Sequence, residues 1–377
     1  MAWWGCVGRS RVARATVLFA WGCVLAGCGR IGFDVASWWD PEWSFRKPVV
    51  VSSSHVEGDV ERFPVLIAVA TDPDLTSLAA SDGRDLRFVT PEAEDLAYEL
   101  ERFVPQSGEL IAWVSFPALS ASTDTTVYMY FGNPAATPPD RARDIWDHRY
   151  DLVAHFGDET GDRVTNSASE SSEGTRVGTA TSAPGRVGSA VQLVADTDHV
   201  EFAQGDHLLS GWEEFCVSFW MYLDYASDLD WEANGEPTVW HKNTPVRIYR
   251  TPDDDPGRGR FQADIPFRTT TSFQHHTVDR QRWNHVVLTY DRSAYRGYVD
   301  GALEFSESVP RDQLIDGEQS FGLGGDQGRS IHGMFDEFRL GRSACDASWV
   351  AAEYRGMSAP QDFVEISALE MFGQSAP

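Results

Sequence analysis

Acidic side chains are the most abundant chemistry-bearing residues of this chain, 57 Asp and Glu against 31 Lys and Arg. Hydrolysis of a glycosidic bond needs two carboxyl groups flanking it, about 5–5.5 Å apart for retention or about 6.5–9.5 Å for inversion. The densest candidate is DLDWEANGE, with Asp228, Asp230, Glu232 and Glu236. Its Asn-Gly turn and alternating acids read as an exposed loop rather than as a strand lining a core. No G-x-S-x-G elbow, H-E-x-x-H helix or phosphate-cradling glycine loop occurs, so the other common hydrolase routes lack a starting residue. No catalytic residue is assigned. His241, His275, His276 and His285 invite a zinc reading, but none pairs at i, i+4 and no thiolate accompanies them. His285, in NHVVLTY, reads as a sheet residue, and the Asp253–Asp255 run as a solvated turn.

Two further groups of residues carry chemistry. In FDEFRLG, a period of two puts Asp336 on the face of Phe338 and Leu340. A carboxylate at the margin of an apolar surface requires a cation or several hydrogen-bond donors. Trp231, Trp240 and His241 offer aromatic faces beside polar groups on expected loops and strand ends. That is the chemistry of sugar contact, with ordinary packing as the competing use.

The elements that position these residues begin after a leader. Residues 1–27 contain no Asp or Glu, carry Arg9, Arg11 and Arg14, and run uncharged from Ala15, the layout of a cleaved secretory signal. Leu25-Ala26-Gly27-Cys28 resembles the bacterial lipobox. The resemblance implies a lipid-modified Cys28 as mature N-terminus, a tether over 28–36 and, with Gly29 rather than Asp following, an outer-membrane destination. Cys6 and Cys23 leave with the signal, so Cys216 and Cys345 remain as one disulfide or as two buried thiols. The formal charge of -26 repels nucleic acid, which disfavours DNA or RNA as partner.

From Trp38 onward, short apolar runs of period two are broken by Gly, Pro, Asp and Ser, an all-β pattern without a sustained helical period. Phe63, Val65 and Ile67 alternate with Leu66 and Ala68, a strand with both faces covered. The expected organisation is two consecutive β-sandwich modules after the signal peptide. Residues 37–140 form the first, 141–149 a linker, 150–356 the second and 357–377 a C-terminal tail. A short helix is expected at DASWVAAEYR, capped by Asp346 or Ser348.

WWDPEWSFRKPVVV, DGRDLRFV, YELERF, AWVSFPAL and VYMYFGNP, in that order, resemble a bacterial domain-of-unknown-function family often placed ahead of lectin-like modules; it conveys no reaction. LVAHFGDETGDRVTNSA, PGRVGSAVQLV, FCVSFWMYL, RWNHVVLTYD and GMFDEFRLGRSACDASWVAAEYR resemble the laminin-G-like branch of the concanavalin A-like lectin/glucanases. This second resemblance implies a jelly-roll sandwich that binds glycans or proteins, and a structural calcium at a last-strand aspartate: here Asp336, with Asp158 and Glu159 from the end of the first strand. The superfamily also holds glycoside hydrolases, but the E-x-D-x-x-E strand motif of its laminarinase-like branch is absent. The expectation is a non-catalytic, lipid-anchored envelope protein whose partner is a glycan or an extracellular or envelope protein. A polysaccharide hydrolase and a purely structural scaffold are the alternatives.

Overall fold

Alternating strands build the first module from β1 (Phe45–Val51), β2 (Val60–Val69), a short helix α1 (Pro73–Leu78), β3 (Arg87–Val89), β4 (Tyr98–Val104), β5 (Glu109–Leu119) and β6 (Thr125–Phe131). β2, β5 and β4 make one antiparallel sheet, while β1, β6 and β3 belong to a second. Phe63, Val65, Leu66 and Ile67 are all buried, so both faces of β2 are covered as its composition requires. The computed structural model describes residues 38–373 apart from 139–140, 147–148, 158–160, 203–204, 225–237, 242–245, 250–257, 266–270, 310–320 and 326–329. The leader, Cys28, Asp158, Glu159, Trp231, the DLDWEANGE acids and Asp253–Asp255 therefore lie outside the described residues. Among the described residues no helix is long and apolar enough to cross a membrane.

The second module is a jelly-roll sandwich of two eight-stranded antiparallel sheets. Its strands are β7 (Leu152–Ala154), β8 (Arg163–Val164), β9 (Gly174–Val177), β10 (Thr181–Pro184), β11 (Ser189–Leu193), β12 (His199–Phe202), β13 (Phe215–Leu223), β14 (Thr238–His241), β15 (Val246–Tyr249), β16 (Arg258–Ile265), β17 (Thr271–Asp279), β18 (Trp283–Tyr290), β19 (Ala294–Val299), β20 (Ala302–Ser308), β21 (Phe321–Leu323) and β22 (Gly333–Gly341). One sheet runs β10-β11-β22-β13-β18-β19-β20, with β7 also on β22; the other runs β17-β16-β15-β14-β21-β12-β9-β8. Phe215, Val217, Phe219, Met221 and Leu223 of β13 point into the core between the sheets. Cys216, Ser218 and Trp220 point the other way, yet are also buried. A jelly-roll strand with one face in water would not carry a tryptophan there, and the cover comes from the rest of the chain.

That cover is helix α2 (Ala347–Ser358), which starts where Asp346 accepts a hydrogen bond from the Trp349 N–H at 2.8 Å. Trp349 meets Phe63 of β2 edge-on at 4.8 Å between ring centres, so α2 is held between the modules. The segment expected as a tail then forms β23 (Val364–Ile366) and β24 (Glu370–Met371), both antiparallel to β1. Arg46 of β1 donates to Glu370 at 2.7 Å and to the Tyr130 hydroxyl at 2.9 Å, with its guanidinium 4.0 Å from the Tyr128 ring. The expected linker differs as well, since Ile145 and Trp146 within it are fully buried. Both surprises have one cause: the partners of these short segments lie far away in sequence, where local periodicity carries no signal.

Candidate functional site

The ionisable groups with the most altered surroundings gather where β4, β7, β22 and α2 converge. β22 contains a β-bulge, with Glu337 at φ +49° as its extra residue. Asp336 pairs opposite Trp220 and Arg339 opposite Ser218. Asp336, Glu337 and Arg339 therefore share the outer face, while Phe335, Phe338 and Leu340 stay in the inner core. This corrects the strict period-two reading, which placed Asp336 with Phe338 and Leu340. A second bulge, between Leu100 and Arg102 of β4, lets Glu99 and Glu101 both approach His155, just past β7.

The resulting network is dense. His155 Nδ1 lies 2.8 Å from Glu337 Oε1 and 3.9 Å from Glu101 Oε2, and its Nε2 lies 3.4 Å from Glu99 Oε2. Arg339 donates to Glu337 at 2.8 Å and to Glu353 of α2 at 3.1 Å. Its guanidinium stands 4.3 Å from the Trp113 ring and 5.0 Å from the Trp146 ring, a cation between two aromatic faces. The indole N–H groups of those tryptophans donate to Glu101 at 3.0 Å and to Glu99 at 2.6 Å. The Ser167 hydroxyl donates to Glu99, and that of Ser218 to Glu353. Asp336 accepts from the N–H of Val187 and of Glu337, both at 2.8 Å. The two glycines of PGRVG permit this closeness: a Cβ on Gly185 would stand 2.5 Å from Asp336 Oδ2, and one on Gly188 2.5 Å from Glu101 Oε1.

Five carboxyl groups here face two cations, His155 and Arg339, in a region from which water is largely excluded. An uncompensated carboxylate would be costly there, and the surplus is met by protons. Burial, then repulsion from Glu337, holds the Asp336 carboxyl well above the ordinary range. Burial outweighs His155 and, with Glu337 and Glu99, pushes Glu101 up to about 7. Burial also raises Glu353. Burial alone would lower His155, but Glu337 and Glu99 hold its imidazolium well above the usual value. Burial is overcome at Glu99 and Glu337 by His155, and both stay ionised.

Glu101, Asp336 and His155 all bind protons more tightly folded than unfolded. Stability is therefore expected to fall as pH rises from the ordinary carboxylate range through about 7. Glu101 alone contributes on the order of 3 kcal/mol across that window. Within that window the buried His285, held at about 3, works the opposite way below about 6.5, but Glu101 and Asp336 together outweigh it; at lower pH protonation of Glu99 and Glu337 removes their share as well, so the optimum lies in mild acid. Melting curves from acid to alkaline pH check this, and Glu101→Gln, which mimics the protonated acid, should flatten the alkaline fall. A melting temperature that climbs steadily from mild acid to alkaline pH would contradict it.

Chemically, this cluster can fasten elements together and store protons. Asp336 and Glu337 are fully buried, and Arg339 and Glu353 nearly so, which leaves no path for a substrate bond to reach them. The ligand atoms of Glu101, His155 and Glu337 lie within 4.8 Å of one another, but Glu337 is already shared by His155 and Arg339. Asp336, expected from the resemblance to hold calcium, accepts one backbone N–H on each oxygen, and its expected fellow ligands Asp158 and Glu159 lie outside the described residues.

The other sequence candidates separate. Cys216 and Cys345 form a disulfide, with Cα atoms 5.6 Å apart. Trp240 and His241 lie in β14, in register with Leu323 and Gly322 of β21. His285 is a sheet residue of β18, buried between Trp220 and Tyr354 at 5.0 and 6.0 Å, and burial lowers it to about 3. His275 and His276 lie in β17. Glu99, Glu101, His155, Arg339 and Glu353 were not singled out beforehand. Their signal was there, as charges inside the apolar runs YELERF, LVAHF, FDEFRLG and WVAAEY.

Residues 194–351 match the family model of the concanavalin A-like lectin/glucanases superfamily, and residues 82–169 that of a domain of unknown function (DUF2341). The second span runs past residue 140 and takes in Trp146, His155 and Ser167. No curated protein matches the chain. Among solved structures, the binding domain of Paraclostridial Mosquitocidal Protein 1 is similar at 13% identity and TM-score 0.45, over 55% of this chain and 52% of that one. The botulinum neurotoxin serotype D binding domain is similar at 14% and 0.44, over 57% and 52%. Domain 4 of AbnA, an extracellular arabinanase from Geobacillus stearothermophilus solved with arabinotriose, is similar at 19% and 0.41, over 54% and 98%. The chain spans about half the length of the two toxin domains.

Proposed function

We propose that this chain, a domain of unknown function followed by a concanavalin A-like domain, is a non-catalytic, lipid-anchored envelope protein that presents a binding surface to a glycan or an extracellular protein. The observation that carries the reading is the sealed ionic cluster. The buried carboxyl groups of this cluster are committed to joining β4, β22 and α2, so the two modules meet as one stiff body. What such a body offers its surroundings is surface, and the concanavalin A-like match supports recognition as its use. The leader and Cys28 support anchoring, with the outer membrane as destination, and several acyl chains would make attachment effectively stable.

Two measurements test this. The full chain in mild detergent, displayed on glycan and matrix-protein arrays with and without calcium, should retain at least one partner; retention of none across both arrays would end the binding reading. In cells, a clickable fatty-acid analogue should label the wild type but not Cys28→Ser, and unlabelled wild type would remove the anchor.

A further inference from the structure

Lys47 and Lys242 are the only lysines among the 31 Lys and Arg residues of the chain. Arginine serves the buried ion pairs at Arg46 and Arg339. Lys47 stands on β1 in phase with Val49 and Val51, on the face that packs into the core of the first module. An ammonium sent into the rim of that core is costly, and what it meets there is two carboxylates. Its Nζ lies 2.5 Å from Asp72 Oδ2 and 2.8 Å from Asp74 Oδ2. The side chains of Lys47 and Asp72 are each 8% exposed, that of Asp74 35%, so water is scarce around the first two and reaches only the third.

The Asp72 carboxyl is held as an electrophile would be. Its Oδ1 accepts from the N–H of Asp74 at 2.8 Å and of Leu75 at 3.0 Å, two donors that stabilise negative charge growing on that oxygen. Its backbone is fixed too: the N–H donates to the Ser107 carbonyl, and the carbonyl accepts from the N–H and hydroxyl of Thr76. Amine and carboxyl are thus oriented before any reaction. The next residue is Pro73, whose missing N–H removes the nearest rival nucleophile for the same carboxyl. Lysine, unlike arginine, becomes a nucleophile on losing a proton.

We propose that Lys47 and Asp72 condense to an intramolecular amide, with Asp74 as proton carrier, so that the first module makes its own crosslink between β1 and the segment ahead of α1. The step needs no outside reagent. The Lys47 ammonium passes one proton to Asp72 Oδ2, leaving a free amine and a carboxylic acid. The Nζ electron pair forms the bond to Asp72 Cγ, and the π pair of the carbonyl moves onto Oδ1, between its two N–H donors. Asp74 takes a second proton from Nζ and delivers it to the Oδ2 hydroxyl. The Oδ1 pair then returns, the Cγ–Oδ2 bond breaks and water leaves. One C–N bond replaces one C–O bond, and the charge of the three groups together is unchanged. β1 belongs to the sheet of β6 and β3, whereas Asp72 follows β2 of the other sheet, so the bond joins the two layers. β1 is also the first strand after the expected tether, and a pull arriving from Cys28 would pass at Lys47 into the second layer instead of peeling β1 away. That mechanical use rests on the anchor proposed above; the bond itself does not.

The test is mass spectrometry of the full chain, purified from cells in mild detergent, then reduced, denatured and digested with trypsin. Lys47 precedes Pro48 and is spared by the protease. The expected product is one species composed of residues 47–62 and 63–84 less one water, with fragment ions placing the joint at Lys47 and Asp72. Lys47→Arg should give the two peptides separately. Asp74→Asn keeps the size of the side chain but cannot carry the proton, and should slow linkage about a hundredfold or more in a time course begun when synthesis is stopped. Wild type that yields both peptides separately at full mass overturns the proposal, whether or not the variants fold. A joint at Asp74, or linkage in Asp74→Asn as fast as in wild type, overturns the roles given to the two aspartates.

Discussion

Arg339→Ala is expected to cost about 3–5 kcal/mol of folding stability, the range for removing one partner of a buried ion pair. The loss comes chiefly from what stays behind. Glu337 keeps His155 but loses its 2.8 Å partner, and Glu353 keeps only the Ser218 hydroxyl. Trp113 and Trp146 lose the cation between their rings as well. Because the strands of both modules and α2 meet here, the transition should move to lower denaturant for probes in either module together. Replacing charges as a set should cost far less: Arg339→Met with Glu337→Gln and Glu353→Gln keeps bulk and removes the stranded carboxylates. Equilibrium denaturation followed by tryptophan fluorescence and far-ultraviolet circular dichroism checks both. A single variant that costs under about 1 kcal/mol, the worth of an exposed pair, would show that the cluster is hydrated and does not fasten the modules.

Local pattern carried the all-β class, the burial of both β2 faces, the Asp346 cap of α2 and the disulfide candidates, because strand alternation, capping and cysteine number are properties of neighbouring residues. It misplaced what depends on distant partners or on a single inserted residue. Asp336 is the clearest case, since one bulge at Glu337 reverses the face that a strict alternation assigns. Val364–Ile366 looked like a tail because its partner β1 lies some three hundred residues earlier. Glu99 and Glu101 stood out only as charges within YELERF, and only the tertiary fold supplies the His155 between them and Glu337.

Loss of the Cys216–Cys345 disulfide should produce the other large effect. The bond closes a loop spanning a sequence separation of 129, and by chain-entropy arithmetic this restricts the unfolded chain by about 5 kcal/mol, an upper figure if the reduced chain stays compact. The native form should survive reduction with a smaller margin, because the same corner has other fastenings. The Cys345 N–H donates to Thr289 Oγ1 at 2.9 Å, and Arg149 donates to the Ala344 carbonyl at 2.8 Å while covering the Trp349 ring at 3.8 Å. Cys216 leaves the outer face of β13 beside Ser218, and Cys345 stands just ahead of α2, which carries Glu353 into the ionic cluster. Disulfide and cluster therefore seat the same helix from two ends. Cys216→Ser with Cys345→Ser should lower the melting temperature under oxidising conditions to that of the reduced wild type. Combined with Glu353→Gln it should depart from additivity by about 0.5–3 kcal/mol, the range for residues that share an element. Strict additivity in that cycle would mean that α2 is held by each independently, and that the cluster joins the modules through β4 and β22 alone.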